Sequence, residues 1–243
     1  MLQVVYADRM IGTAQGSVST GKQMLSEQVY ARLRNAIMRG DFAPGDPLKP
    51  QDLARQQGVS LAIVREALVR VVGEGLAVRL PNRGFAVPAF SDHRWQEIAE
   101  ARRTIEPALL RMSIERGDIE WETRVRAACH RLVRTPAFAP GEGEYYSEEW
   151  AEAHRIFHRT LLEGSRNAVL LDVFDRLWTA SELARRWSAH RSPGRDDVEE
   201  HRELEAAVLA RDGAAAADIL TRHLTLTAEV LAGRPVGETA RDV

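Results

Sequence analysis

Residues 50–75 read PQDLARQQGVSLAIVREALVRVVGEG, two helical segments that meet at a glycine. The first segment, PQDLARQQ, is closed by Gly58. The second and longer segment starts after Ser60, a residue type that caps helix N-termini well. Two helices joined by a tight glycine turn are the pattern of a helix-turn-helix.

The flanking segments extend this pattern into a winged helix. Upstream, residues 25–39 form an amphipathic helix pattern that Gly40 ends. Its apolar face carries Leu25, Val29, Leu33 and Ile37. Downstream, LAVRL and FAVPAF alternate as strands do and flank the turn PNRG, which predicts a short hairpin. We therefore predict a winged helix-turn-helix domain over residues 24–90.

These motifs together resemble the DNA-binding domain of the GntR family of bacterial transcription factors. The resemblance rests on the APGDPL turn, the segment LARQQGVS, VREAL, and the EGL and NRG elements. It implies that the protein binds a double-stranded DNA operator. The positions that it assigns to the DNA contact are Arg34, Gln51, Ser60, Leu61, Arg65, Arg83 and Gly84.

Elementary chemistry agrees with this assignment. The helix that starts after Ser60 would enter the major groove by its N-terminal end, where its hydroxyl and the free amides favour a phosphate. Arg65, one turn further, can reach a guanine edge or a phosphate. Arg83 and Gly84 at the wing tip can reach the minor groove or the backbone. Gln51 lies where the family often has an arginine.

Each basic residue taken alone could equally be a solvated surface charge, and Arg65 could pair with Glu66 or with an acid near Asp52. The chain also departs from the family between GVS and VRE, where it has Leu61 in place of a polar or basic residue. A lost guanine contact removes about 1–3 kcal/mol of base discrimination, whereas an apolar side chain can touch a thymine methyl. We therefore expect an operator different from those of better-known relatives.

Charge and composition support two parts with different partners. Residues 24–90 carry nine basic and six acidic side chains. The formal net charge of the whole chain is −2, so residues 91–243 carry an excess of acidic side chains.

Residues 1–23 are polar and are expected to form a disordered tail without the features of a secretory signal. One cysteine, Cys129, excludes an internal disulfide and fits a reducing cytoplasm. We expect a cytoplasmic protein with no membrane partner.

The remainder of the chain has no strand pattern. Helical periodicity predicts six helices over residues 91–233, broken at glycines and prolines, and a C-terminal tail over residues 234–243. Pro107 lies inside the first of these helices and could kink it. The predicted fold class is mainly α, with a winged helix-turn-helix followed by an all-α bundle.

Residues 154–158 read HRIFH, two histidines four apart on one helical face. A zinc protease would have glutamate after the first histidine, and Arg155 cannot act as that base. The segments around HRIFH, EEHRELEAAVLARD and ADILTRHL resemble the helical effector domain of the FadR-type branch of the GntR family. That domain, when it binds metal, uses one aspartate and three histidines. The matching residues here are His154, His158, His201 and His223, with His154 in place of the aspartate.

Four neutral imidazoles from three helices would suit a divalent transition metal such as zinc or nickel better than calcium or magnesium. A lone histidine on a helix is more often a partly buried polar residue, which is the alternative at each position. The resemblance also implies an effector with a carboxylate, which Arg102 could grip in a bidentate manner. Arg102 could instead pair with Glu106. Asn167 is expected to cap a helix and to lie at the ligand site.

The sequence therefore predicts a ligand-responsive transcriptional regulator and not an enzyme. Repression that the ligand relieves is the expected mode of action. The protein would bind a two-fold-related operator as a homodimer and sense a small carboxylate at a metal site lined by histidines. Two alternatives remain open. The metal could activate water in a hydrolase, or it could be purely structural in a DNA-binding protein without a ligand response.

Overall fold

The computed structural model describes residues 15–81, 83–89, 91–138, 146–188 and 197–231. The N-terminal part contains α1 (Gln15–Arg39), β1 (Pro47–Leu48), α2 (Pro50–Gln57), α3 (Leu61–Gly73), β2 (Val78–Leu80) and β3 (Gly84–Ala86). The C-terminal part contains α4 (Asp92–Arg116), α5 (Ile119–Arg134), α6 (Glu148–Glu163), α7 (Ala168–Ser188), α8 (Asp197–Leu209) and α9 (Gly213–Leu231). The predicted mainly α fold class is confirmed.

The N-terminal core forms where the apolar face of α1 packs against α3. Val29, Leu33 and Ile37 of α1 are buried in one cluster with the apolar face of α3. Gly58 closes α2 in the left-handed conformation with φ of 65°, which favours glycine because that conformation crowds a Cβ. The predicted helix-turn-helix is therefore present.

The wing is a three-stranded antiparallel sheet with strand order β1-β3-β2. The predicted hairpin is the pair β2 and β3, in which Arg79 lies opposite Phe85. The added strand β1 pairs Pro47 with Ala86 and Leu48 with Phe85. A proline at the start of a two-residue edge strand hides the strand pattern, so the sequence predicted only a turn there.

The helix α1 begins earlier than the sequence predicted. Residues 15–23, expected to belong to a disordered tail, form the first turns of α1. Extending a helix costs far less than nucleating one, so the amphipathic part of α1 can continue into a segment of poor helix formers. The rest of the expected tail, residues 1–14, and the predicted C-terminal tail, residues 234–243, lie outside the described residues.

The C-terminal domain is a bundle of the six helices α4 to α9. The helix α4 packs along α9 and also contacts α6 and α7, while α5 packs against α6 and α8. α4 continues through the buried Pro107 as one helix. Among the described residues, no helix has the length and apolar character needed to cross a bilayer.

Trp121 anchors one end of this bundle. The indole of this residue is 1% exposed, and its Nε1 donates a hydrogen bond to the Thr160 carbonyl oxygen at 2.8 Å. Gly164, which ends α6, lies against the same ring. A Cβ at Gly164 would lie 2.7 Å from the Ser113 carbonyl oxygen and 2.9 Å from Trp121 Cε2. The close approach of α6 to α4 therefore requires a glycine.

We predict that Gly164→Ala lowers the free energy of unfolding by about 1–3 kcal/mol, because the added methyl overpacks against backbone and a fixed ring. Chemical denaturation monitored by circular dichroism measures the change. Gly213→Ala is the matched control, since its Cβ would meet only Arg111 Cγ at 3.9 Å. Equal stability of the two variants would contradict this packing.

Candidate functional site

The N-terminal end of α3 presents Ser60 and Arg65 to solvent. Ser60 is the N-cap residue, as predicted, with extended backbone angles of −70° and 151°. Its backbone oxygen accepts from the amide of Ile63, whereas its side chain makes no capping hydrogen bond. The hydroxyl and the first amides of α3 are therefore available to an outside anion.

Arg65 is exposed, and its guanidinium has no ion pair or hydrogen bond with another residue that the structure describes. The sequence offered an ion pair of Arg65 with an acid near Asp52 as an alternative. Asp52 itself pairs with Arg55 at 2.6 Å. Leu61 is half-buried at the start of α3, and Gln51 is exposed on the first turn of α2. These four predicted positions thus lie along the helix-turn-helix.

The wing tip carries Arg83 and Gly84. The Arg83 amide donates to the Leu80 carbonyl oxygen at 3.2 Å, and Gly84 has φ of 89°, which turns the chain into β3. The Arg83 side chain is exposed and has no partner within the described ranges. The neighbouring Asn82 lies outside those ranges.

Arg34, which the sequence predicted to contact DNA, pairs with Glu74 at the opposite end of α3 from Ser60. Its Nε donates to a carboxylate oxygen of Glu74 at 3.2 Å, and Glu74 also accepts from the Tyr30 hydroxyl. Glu74 follows the C-terminal end of α3, a helix of 13 residues. At 1.5 Å per residue, Arg34 therefore lies about 20 Å along α3 from Ser60. It lines a cleft of about 810 Å³ between the two domains.

The four predicted histidines converge in the core of the bundle. His154 and His158 come from α6, His201 from α8 and His223 from α9. His158 Nε2 lies 3.1 Å from His154 Nε2 and 3.4 Å from His201 Nε2. One nitrogen from each of the four rings lies within 4.8 Å of the others. All four residues are at most 7% exposed.

Aromatic rings hold this histidine cluster in place. The Trp150 ring stacks on His154 with a centroid distance of 4.6 Å. The Trp178 ring lies 5.1 Å from both His154 and His158. The spacing of four residues in α6 aligns His154 and His158 on one face, and the tryptophans restrict their rotamers.

The outer nitrogens show how the rings are oriented. His223 Nδ1 lies 2.8 Å from Glu200 Oε2, so the Nε2 atom of His223 is left for the centre of the histidine cluster. The Nδ1 atom of His154 is buried and has no hydrogen-bond partner in the described structure. The Nε2 atom of His154 faces His158, so the nitrogen of His154 that is available to the centre of the cluster is Nε2.

Burial keeps the imidazoles of His154 and His158 neutral. It lowers the pKa of His154 and His158 well below the ordinary value of 6.5. The Arg185 charge lowers the pKa of His154 further, and the charges of His223 and His201 lower that of His158 further. Neutral imidazoles have a free lone pair at physiological pH, so these four residues fit a transition metal ion, with each ring a nitrogen donor.

Arg102 lies beside the cluster in a buried network. Its guanidinium donates twice to the Glu106 carboxylate and once, at 2.8 Å, to the Ser181 hydroxyl. The predicted alternative of an ion pair with Glu106 is therefore present. The charge of Arg102 still contributes to lowering the pKa of His158, so the guanidinium acts on the histidine cluster.

Asn167 directly precedes α7. Its side-chain oxygen accepts from the Leu170 amide at 3.2 Å, so it caps α7 as expected. However, Trp178, which contacts the histidine cluster, lies three turns further along α7, or about 16 Å away. Asn167 is thus a capping residue, and its place at a ligand site stays a prediction.

Two charged residues beside the cluster were missed from the sequence. The Arg185 guanidinium lies 5.0 Å from the centroid of the Trp150 ring and pairs with the buried Glu182. Glu200 contacts His223. Glu200 directly precedes the predicted ligand His201, so the sequence did place a carboxylate next to the cluster. The position of Arg185 depends instead on how α7 packs on α6.

Comparisons with known proteins agree with both parts of the fold. The profile of the FCD domain matches residues 97–226. The profile described as bacterial regulatory proteins, gntR family, matches residues 25–87. Both matches cover the regions that the sequence motifs had indicated.

Two curated relatives are similar over most of the chain. The HTH-type transcriptional regulator BphR of Paraburkholderia xenovorans strain LB400 is 33% identical over 208 residues, or 85% of each chain. The HTH-type transcriptional repressor GlaR of Escherichia coli K12 is 32% identical and covers 80% of this chain and 90% of its own.

Solved structures share the fold. Escherichia coli McbR/YncC has a TM-score of 0.68 at 23% identity and covers 85% of this chain and 96% of its own. A transcriptional regulator GntR from Rhodococcus sp. RHA1 also has a TM-score of 0.68, at 25% identity, with 85% and 97% covered.

We predict that the metal-free protein loses stability as the pH falls below about 6.5. The unfolded chain takes up protons on His154 and His158 at the ordinary pKa, whereas the folded chain does so only at lower pH. The free energy of unfolding then falls by up to about 1.4 kcal/mol per pH unit for each histidine. Urea denaturation in EDTA at a series of pH values measures this slope.

Variants assign the slope to the cluster. Replacing His154 and His158 together by Asn is expected to remove most of it. Replacing the exposed His93 and His130 by Asn is expected to leave it unchanged. A slope that survives the double change at His154 and His158 would show that burial does not hold these imidazoles neutral.

Proposed function

The chain belongs to the GntR family of bacterial regulatory proteins and carries an FCD domain, and we propose that it is a metal-dependent, ligand-responsive repressor. Family membership makes it a DNA-binding transcriptional regulator. Repression, the metal, a small carboxylate effector and a homodimer are the proposed parts. The observation that carries the proposal is the convergence of four buried imidazoles in the C-terminal helical domain.

The donor set supports a divalent transition metal, with zinc or nickel as the candidates. His154, His158, His201 and His223 would hold it. The bound ion would supply a positive charge that attracts a carboxylate. Four nitrogen donors without an oxygen ligand suit zinc, nickel or copper and disfavour calcium and magnesium.

Arg102 would supply the second attraction for a carboxylate. Its guanidinium already pairs with Glu106, so an effector would compete with that carboxylate or use the remaining N–H groups. Arg102 Cζ lies 5.0 Å from the centroid of the Trp178 ring, which itself lies 5.1 Å from the His158 ring, so one small acid could contact both the proposed metal and the guanidinium. This supports a small carboxylate rather than a neutral effector.

The helix α7 supports a route from this site to the DNA-binding domain. On one side of α7, Trp178 contacts the histidine cluster and Ser181 accepts from Arg102. On another side, Leu183 is 3% exposed within the core of the DNA-binding domain. An acid that binds one position of α7 better than another would therefore shift the orientation of that domain.

A homodimer would place two copies of α3 on a two-fold-related operator. Each copy would insert the N-terminal end of α3 into a major groove, with Ser60 on a phosphate and Arg65 on a base edge or phosphate. Arg83 would contact the flanking minor groove or backbone. Effector binding would change the spacing or orientation of the two copies and release the operator.

We predict that Arg65→Ala weakens operator binding about 5- to 150-fold, which corresponds to losing about 1–3 kcal/mol from a base contact. Electrophoretic mobility shift with a fragment selected by the wild-type protein measures the affinity. The control is Arg131→Ala, which removes an exposed arginine of the helical domain. Wild-type affinity in the Arg65 variant would remove this residue from the DNA contact.

We predict that His158→Ala lowers zinc affinity more than about 100-fold. Loss of a residue that only hydrogen-bonds to a metal ligand lowers affinity by roughly 10–100-fold, and His158 is itself a proposed ligand. Isothermal titration of the metal-stripped protein measures the affinity, and elemental analysis gives the stoichiometry. His130→Ala is the control, because His130 is exposed on α5. Equal zinc binding by both variants would reject the site.

The same samples separate the alternatives. Operator affinity is measured with a panel of small mono- and dicarboxylic acids, in zinc-loaded and in metal-free protein. A response only in the loaded protein supports the proposal, whereas zinc binding without any response indicates a structural metal. Turnover of simple esters by the loaded protein that His158→Ala abolishes would favour the hydrolase.

A further inference from the structure

Within the part of the chain that the structure describes, the four histidines are grouped without an anionic ligand, although three carboxylates lie nearby. Four neutral imidazoles leave the charge of a divalent ion uncompensated in a buried site, which is costly. Glu106 is neutralised by Arg102, and Glu182 by Arg185. The Glu200 carboxylate contacts a ring of the cluster directly, with its Oε2 atom 2.8 Å from His223 Nδ1. This direct contact makes Glu200 the candidate for a compensating negative charge.

We propose that Glu200 is a positioning residue that orients His223 toward the metal and supplies, one bond further out, the negative charge that the four ligands lack. The proposal rests on the metal site proposed above. As an acceptor, the Glu200 carboxylate requires a proton on His223 Nδ1, and this selects the tautomer with a free lone pair on Nε2. A carboxylate in this position also makes the imidazole a stronger donor.

The placement of Glu200 in α8 fits this role. Its side chain is 17% exposed, and that of His223 is 7% exposed, so water screens their contact only partly. The adjacent residue His201 is itself a candidate ligand. The helix α8 thus offers one ligand and orients a second on α9, which couples the packing of these two helices to metal binding.

The tested variants are Glu200→Gln, which keeps a hydrogen-bond acceptor without the charge, and Glu200→Ala, which removes both. Glu203→Gln is the matched control. Glu203 lies on the same helix and pairs with Arg222 at 2.5 Å on the surface, away from the imidazoles. Circular dichroism and thermal unfolding in EDTA check that each metal-free variant is folded.

Zinc affinity is expected to fall about 10–100-fold in Glu200→Ala and by less in Glu200→Gln, while Glu203→Gln matches the wild type. With cobalt as the probe, the visible absorption bands of the Glu200 variants are expected to shift, because the donor strength and orientation of His223 change. A purely structural role would alter unfolding but leave these bands in place.

Wild-type zinc affinity and unchanged cobalt bands in Glu200→Ala would overturn the proposal while leaving the four-histidine site intact. Absence of metal binding in the wild type and in Glu203→Gln would overturn the site itself, and Glu200 with it. The two failures are therefore distinguishable.

Discussion

The burial of four imidazoles around one point is the constraint on which the helical domain depends. Each ring turns a nitrogen lone pair or N–H toward the others, and His154 also buries an Nδ1 atom without a partner in the described structure. A core of aliphatic side chains would avoid that cost. In the proposed metal-bound form, a cation shared by the four inner nitrogens would stabilise the folded state, since metal binding by that state adds to its stability.

The same packing supports the proposed role of the bundle as a sensor. Trp150 and Trp178 hold the imidazoles, and Trp178 lies on the helix α7 whose Leu183 enters the core of the DNA-binding domain. In the proposed function, a change at a bound metal would displace these packed side chains, which lead to the DNA-binding domain. Packed cores adopt discrete arrangements rather than deform gradually, so a small displacement can be converted into a different domain orientation.

Periodicity and turn residues were sufficient to predict the helix-turn-helix, the hairpin and six following helices, because these signals are local. Likeness to a known effector domain predicted that His154 and His201 meet, which spacing alone could not. The strand β1 was missed because two residues carry no periodicity. The ion pair of Arg34 with Glu74, like the position of Arg185, depends on contacts between distant segments, which no local pattern contains.

X-ray absorption at the zinc edge, on full-length protein loaded with one equivalent of zinc, tests the central claim most directly. The account predicts a single first shell of nitrogen donors at about 2.0–2.1 Å, with the multiple scattering of imidazole rings. That signal should be lost when His158 is replaced. Protein that retains no zinc, or a shell of oxygen donors unaffected by His158, would contradict a metal held among these four histidines.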